Sequence, residues 1–101
     1  RADLVLAQFS VASVEQQLVV VLTNTLFHDI DRLLVALIKP DTGNALLTSF
    51  HLPVIINGQA CFIDLLDIAS VSAKRLKANG INLQHCSGQI KAGIDLLIDG
   101  F

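Results

Sequence analysis

The densest polar group of this sequence is His28-Asp29-Ile30-Asp31, which combines an imidazole with two carboxylates. On a helix, His28 and Asp31 stand about one turn apart, close enough to form an ion pair or to share a metal ion. A zinc site generally takes three or four ligands, and no second cluster of ligands in the sequence completes this one. We therefore interpret the group as hydrogen-bonded or solvated side chains and predict no metal site.

The adjacent residues His85 and Cys86 are the two groups of a thiol nucleophile and its base. A thiolate is activated by an imidazole only where the two side chains meet, and neighbours along a chain usually point in different directions. We therefore predict a structural role for Cys86.

The sequence contains a second cysteine, Cys61, so only one intramolecular pairing exists. A Cys61–Cys86 disulfide would close a loop of about 25 residues and contribute roughly 3 to 4 kcal/mol in the loop-entropy model. Two buried free thiols are the alternative, because an unpaired cysteine behaves as a small hydrophobic residue. We favour the disulfide.

Four carboxylates could supply a general acid and a base: Asp64, Asp67, Asp95 and Asp99. Their spacing places them on the outer faces of predicted helices, near Lys74 and Lys91, whereas catalytic groups concentrate in loops. The six glycines match neither the dinucleotide fingerprint nor a P-loop. We predict no catalytic residue, no cofactor and no enzymatic activity.

Apolar periodicity predicts two helices in the second half of the chain. Between residues 59 and 78, six apolar residues recur at spacings of three and four: Phe62, Leu65, Leu66, Ala69, Ala73 and Leu76. Asn79-Gly80 would end this helix. The last segment has a similar stripe of Ile90, Ile94, Leu97, Ile98 and Phe101, and Ser87 is placed to cap its start.

A third helix is predicted from Ser13 to Ile38, because a cap-like Ser13-Val14-Glu15-Gln16 precedes apolar residues at helical spacing. These are Leu18, Leu22, Leu26, Ile30, Leu33 and Leu37. The β-branched run within residues 18–23 is equally typical of a buried strand. We predict a mostly α, compact single domain of four or five helices over residues 1–101. The alternative is an α+β domain with short strands near 4–9, 18–23 and 54–56.

The composition limits the classes of partner. Apolar residues make up 52% of the chain and charged residues 16%, the mean hydropathy is +0.62 and the net charge is -2. Without a basic cluster, nucleic acid binding is not expected. The one uncharged stretch that is long enough to span a bilayer, residues 42–63, contains Pro53 and three polar amides, so no transmembrane segment is predicted. The chain starts at Arg1 and lacks Met, so we predict a processed, secreted protein.

The apolar residues outnumber those that one helical face can bury, so part of this surface must meet another molecule. We predict a small secreted protein that binds a lipid or another apolar ligand, as a homodimer. Its cavity would be lined by residues of the predicted helices: Leu22, Leu26, Leu33, Leu37, Phe62, Leu66, Ile94 and Leu97. One alternative is a structural or assembly module whose apolar surface is an obligate interface. A second is a surface-active or membrane-perturbing protein.

Overall fold

The computed structural model describes residues 6–23, 31–43 and 49–100, and strands make up 54% of them. The described strands form one curled antiparallel sheet in the order β4-β5-β3-β2-β1-β6. They are β1 (Ser10–Val14), β2 (Gln17–Val21), β3 (Arg32–Pro40), β4 (His51–Ile56), β5 (Gln59–Ser72) and β6 (Lys77–Asn82). A helix, α1 (Ser87–Asp99), follows the sheet, and short 3-10 helices span Ala73–Arg75 and Gln84–Cys86.

The prediction of a mostly α domain is therefore wrong. The α+β alternative is wrong as well, although two of its three strand segments, 18–23 and 54–56, overlap β2 and β4. Residues 6–9 of its third segment contain a turn and no strand.

The predicted helix from Ser13 to Ile38 is replaced by the end of β1, by β2 and by β3. Val19 and Val21 pack on one side of the sheet and Val20 on the other, all three fully buried. A central strand that is covered on both faces has a continuous apolar sequence, without the alternation of apolar and polar residues that a half-exposed strand shows. The β-branched residues were thus the informative signal, because branched side chains pack well on a pleated surface.

The predicted helix over residues 59–78 is mostly β5, whose pairing with β3 is interrupted. Ala36 pairs with Ile68 but the next residue of β3, Leu37, pairs with Asp64, so Leu65–Asp67 have no partner in β3. We call Leu65–Asp67 the β5 bulge. Since a bulge shifts the two-residue alternation of a strand, the apolar positions before and after it fall at spacings of three and four, as in a helix.

The sheet has apolar residues on both faces. The face that carries α1, called the helix side, holds the main core, whose buried residues include Phe9, Val20, Ile63, Leu65 and Ile90. The opposite face holds a smaller cluster. Its buried members are Ala12, Val19, Val21 and Val35, with Leu33, Leu37 and Val71 among those packed around them.

The adjacent residues Asn57 and Gly58 predict a turn from residue type alone, and the structure confirms it between β4 and β5. Asn57 and Gly58 both have positive φ, 52° and 80°, and join Ile56 to Gln59 across a two-residue hairpin. Positive φ at both central residues is typical of the hairpin turn that favours Asn-Gly. Gly80 also has a positive φ, 84°, but it lies inside β6 and does not end a helix.

The predicted C-terminal helix is confirmed as α1. Ile90 and Gly93 are buried and Ile94 packs on the main core, so the first part of the predicted apolar stripe faces the sheet, whereas Leu97 and Ile98 are exposed. Ser87 is the first helical residue, and the capping position belongs to Cys86, which makes no side-chain capping bond. The prediction of a Ser87 cap is therefore wrong by one position. Gly100 ends the helix in the left-handed conformation, with φ 74°.

Candidate protein-binding surface

Several large apolar side chains on the helix side of the sheet are exposed to solvent. Leu34 of β3 is 50% exposed and Ile68 of β5 is 38% exposed. Leu34 pairs with Ser70 of β5, and Ile68 pairs with Ala36 of β3. Leu34 and Ile68 therefore lie on the same face of the sheet, diagonally opposite each other. Leu97 and Ile98, in the last turns of α1, are 38% and 76% exposed. We call Leu34, Ile68, Leu97 and Ile98 the helix-side apolar residues.

Such a set of aliphatic side chains is typical of a surface that another protein covers. Single exposed leucines are common, but several on one side of a small domain lower the free energy when a partner removes them from water. No charged side chain is needed for contacts of this kind. The helix-side apolar residues are therefore a candidate protein-binding surface.

A charged cluster lies at the start of the β5 bulge, on the face away from α1. Asp64 is buried, and its carboxylate accepts a hydrogen bond from Lys39 Nζ at 2.8 Å. The same Nζ lies 3.1 Å from Asp67 Oδ2. Asp64 Oδ1 accepts from the backbone N–H of Leu66 at 3.0 Å and lies 3.3 Å from His51 Nε2. Lys39 thus contacts both Asp64, the residue before the bulge, and Asp67, the last residue of the bulge.

The charges in this cluster reinforce one another. Burial raises the pKa of Asp64, but the hydrogen bonds from Lys39 and from the Leu66 backbone, together with the positive charge nearby, lower it by more, so it lies below the usual value of 3.8. Hydrogen bonds to Asp64 and Asp67 raise the pKa of Lys39 above 10.5. Both groups are therefore charged at neutral pH. The prediction that Asp64 faces solvent near Lys74 is wrong.

Sequence reasoning missed the other members of this cluster, Lys39 and His51. They are 12 residues apart in the chain and lie on different strands, next to Phe62 and Asp64 of β5. The opposite charges of Lys39 and Asp64 could have indicated an ion pair, but only if the pairing of β3 with β5 had been known.

The predicted lipid-cavity residues are distributed over both faces of the sheet. Leu22 and Ile94 pack on the main core of the helix side, whereas Leu33 and Leu37 pack on the opposite cluster. The ring of Phe62 lies edge-on to His51, with centroids 5.2 Å apart. Leu66 and Leu97 are exposed. Leu26 lies outside the described residues. The structure thus does not bring these side chains together.

The predicted lipid-cavity residues do not line either of two open grooves in the described part of the chain. One, of about 300 Å³, lies between α1 and the start of β4 and is lined by Ser49, Leu52, Gln89, Ala92, Gly93 and Leu96. The other, of about 190 Å³, adjoins the β1–β2 turn and includes Gln17 and Cys61.

The predicted disulfide is wrong, because both cysteines are free. Cys61 is 5% exposed and Cys86 is 8% exposed, and both belong to the main core. They act as small apolar side chains, as the alternative held. Burial raises the pKa of the Cys86 thiol, which disfavours a thiolate, and the neighbouring His85 is exposed.

The remaining candidates for chemistry do not assemble into a centre in the described residues. His28 lies outside them, and Asp31 is an exposed residue whose carboxylate accepts a hydrogen bond from Ser72 Oγ at 2.9 Å. Asp95 and Asp99 are exposed on α1. Among residues 6–23, 31–43 and 49–100, no group of three or more His, Cys, Asp or Glu side chains is arranged to hold a metal ion.

Comparison with known proteins gives one finding at the level of a family. The sequence profile of the family described as CcdB protein matches residues 6–100, which is nearly the whole chain. No individual curated protein matches the sequence. The family has a β-sheet fold, in agreement with the sheet described above.

This match overturns the predicted lipid-binding, helical protein and its two alternatives, because the family has neither that fold nor that function. The CcdB family is dimeric and binds protein partners, so the prediction of self-association is confirmed at this level. A lipid partner has no support. No helix in the described residues is long and apolar enough to cross a membrane.

Proposed function

The chain belongs to the CcdB family, and from this premise we propose that it is the toxin of a toxin–antitoxin system and that it acts by binding gyrase. The observation that carries the proposal is the family match over residues 6–100. The six-stranded sheet agrees with the β-sheet fold of the family and supports the same assignment.

The proposed action is binding and not catalysis. The buried thiol of Cys86, with its raised pKa, is a poor nucleophile. The buried carboxylate of Asp64 is engaged by Lys39 and by a backbone N–H, so it is ionised and not free to donate a proton at neutral pH. These features favour a protein that inhibits its target by occupying it.

The surface for self-association is proposed to include the helix-side apolar residues. Ile98 is the most exposed large apolar side chain among the described residues, and Leu97 precedes it in the last turns of α1. An obligate dimer interface resembles a domain core cut in half. Two copies that pack these aliphatic side chains together would remove from water the surface that the single chain leaves exposed.

The proposal is tested by expressing the chain from an inducible promoter in a bacterium and measuring growth and the supercoiling activity of purified gyrase. We expect growth arrest on induction, and loss of supercoiling when the purified chain is added. Ile98→Asp, which places a charge on the proposed surface, should restore growth. Ile55→Asp is the matched control, because Ile55 is 67% exposed on the opposite face of β4.

Normal growth of cells that contain the soluble wild-type chain, together with full gyrase activity, would contradict the proposed function. Equal loss of toxicity in Ile98→Asp and Ile55→Asp would instead show that the helix side has no special part in it.

A further inference from the structure

The β5 bulge determines which side chains of the second half of β5 face α1. Asp64 and Ile68 are four residues apart and would lie on the same face of a regular strand. Their partners show otherwise: Asp64 pairs with Leu37, which packs on the opposite cluster, and Ile68 pairs with Ala36, which is in the main core. The three unpaired residues of the bulge thus reverse the alternation of β5.

This reversal places Ile68 among the helix-side apolar residues and Ala69 and Val71 on the opposite cluster. A slip of one residue in the bulge would exchange the two sets, because the side-chain period of a strand is two. Ala69 and Val71 would then leave Val35 and Leu33, their partners on β3. The length of the bulge is therefore part of what builds the helix-side surface.

The charged cluster holds the bulge at both ends. Asp64 Oδ1 accepts from the N–H of Leu66, a backbone donor inside the bulge. Lys39 Nζ contacts the carboxylates of Asp64 and Asp67, which flank Leu65 and Leu66. Lys39 lies on the neighbouring strand β3, so its contacts connect the bulge to a strand that has no extra residues at this point.

The bulge also contacts α1. The side chain of Leu65 is fully buried, and a Cβ atom added at Gly93 would lie 2.4 Å from Leu65 Cδ1. Leu65 therefore packs directly under the backbone of α1 at Gly93, about one and a half turns before the exposed Ile98. A change in the conformation of the bulge would be transmitted to the helix through this contact.

We propose that Lys39 and Asp64 are positioning residues: they hold the β5 bulge in one conformation and thereby set the helix-side surface through which the chain binds a second copy of itself. The second part rests on the proposed function, since it requires that this surface binds a partner. The first part concerns the isolated chain alone.

The test uses Asp64→Ala, Asp64→Asn and Lys39→Met, with Arg75→Met as the matched control. Arg75 forms an exposed ion pair with Glu15, away from the bulge, so its replacement removes the same charge as Lys39→Met does. Two quantities are measured for each variant: the hydrogen-exchange rates of the amides of Leu66 and Ile68, and the dissociation constant of the dimer by sedimentation.

We expect Asp64→Ala to raise the exchange rate of the Leu66 amide, and the dimer dissociation constant, by about tenfold or more. Lys39→Met should act in the same direction. Asp64→Asn keeps an oxygen acceptor and should be intermediate. Arg75→Met should match the wild type in both quantities. The amides of Val20 and Val35, in the central strands, should stay protected, which shows that each variant is folded.

Wild-type exchange at Leu66 and Ile68 in the folded Asp64 and Lys39 variants would overturn the first part. Faster exchange with an unchanged dissociation constant would overturn the second part. If Asp64→Ala does not fold, Asp64→Asn and Lys39→Met decide by the same criteria. A wild-type chain that is monomeric and leaves gyrase active contradicts the proposed function, and the exchange rates then still decide the first part.

Discussion

Gly93 lies where the backbone of α1 meets the bulge and the start of β4. An added Cβ would lie 2.4 Å from Leu65 Cδ1 and 2.8 Å from the carbonyl oxygen of Ser49. The leucine can rotate, but the backbone oxygen cannot move without shifting the chain. Gly93→Ala should therefore destabilise the fold by about 1 to 3 kcal/mol, the usual cost of overpacking a core.

This prediction is checked by denaturant unfolding of Gly93→Ala beside Gly88→Ala. Gly88 lies in the same helix, and nothing is within 4 Å of a Cβ added there. Gly88→Ala should be neutral or stabilising, because alanine favours a helix over glycine. Equal stability of the two variants would show that α1 does not lie as close to Leu65 as described.

Asp64 makes a contribution to stability that depends on pH. Its pKa is lowered in the folded chain, so the stabilisation is fully present above the pKa of the unfolded chain, about 3.9. It is lost as the pH falls through the lower pKa of the folded state. The free energy of unfolding of the wild type should exceed that of Asp64→Asn at pH 6, and the difference should shrink below about pH 4.

The measurement is urea unfolding of both proteins between pH 2.5 and 7. Asp41→Asn is a control, because Asp41 is an exposed residue outside the cluster. A difference between wild type and Asp64→Asn that is the same at pH 2.5 and pH 6 would contradict an ionised, paired Asp64.

At the scale of elements, two hairpin turns among the described residues, β1–β2 and β4–β5, differ in how well their residue types predict them. Asn57-Gly58 was predicted from residue type alone, because these residues adopt positive φ at low cost. Glu15 and Gln16 adopt the same kind of turn, with φ of 51° and 70°, although neither residue type favours it. They were instead interpreted as part of a helix cap, since the pairing that forces the turn is not local.

The β1–β2 turn gives a prediction for the strain of non-glycine residues at positive φ. The left-handed conformation costs roughly 1 to 2 kcal/mol for a residue with a Cβ, whereas glycine loses more conformational entropy on folding than other residues do. Gln16→Gly should therefore stabilise the chain by a net of about 0.5 to 1 kcal/mol. Thermal unfolding measures the gain. The reverse change at the other hairpin, Gly58→Ala, should destabilise, and a loss of stability in both variants would contradict the described turn.

The two elements that sequence reasoning assigned wrongly failed for different physical reasons. In β2, apolar residues face both sides of the sheet, so no alternation is left to read. In β5, the bulge adds three residues and produces helix-like spacings. The helix α1 was predicted correctly, because a helix that packs on one face of a sheet has apolar residues at spacings of three and four within its own sequence. The candidate surface depends on strand order and could not be derived.

At the scale of the whole molecule, the helix-side apolar residues should control self-association. Ile98→Asp should raise the dissociation constant of the dimer at least about tenfold, because a carboxylate buried between two copies has no partner there. Ile55→Asp, on the opposite face, should leave the constant unchanged. Sedimentation velocity over a dilution series measures both. A larger effect of Ile55→Asp than of Ile98→Asp would place the interface on the other face.

The claim that the chain is a toxin that binds gyrase is tested most directly by titrating purified wild-type chain into purified gyrase in a calorimeter, with Ile98→Asp as the comparison. We predict saturable binding of the wild type at a fixed ratio of chain to gyrase, and weaker binding of Ile98→Asp. Absence of heat and of a complex in sedimentation, with a folded wild-type chain, would contradict the claim.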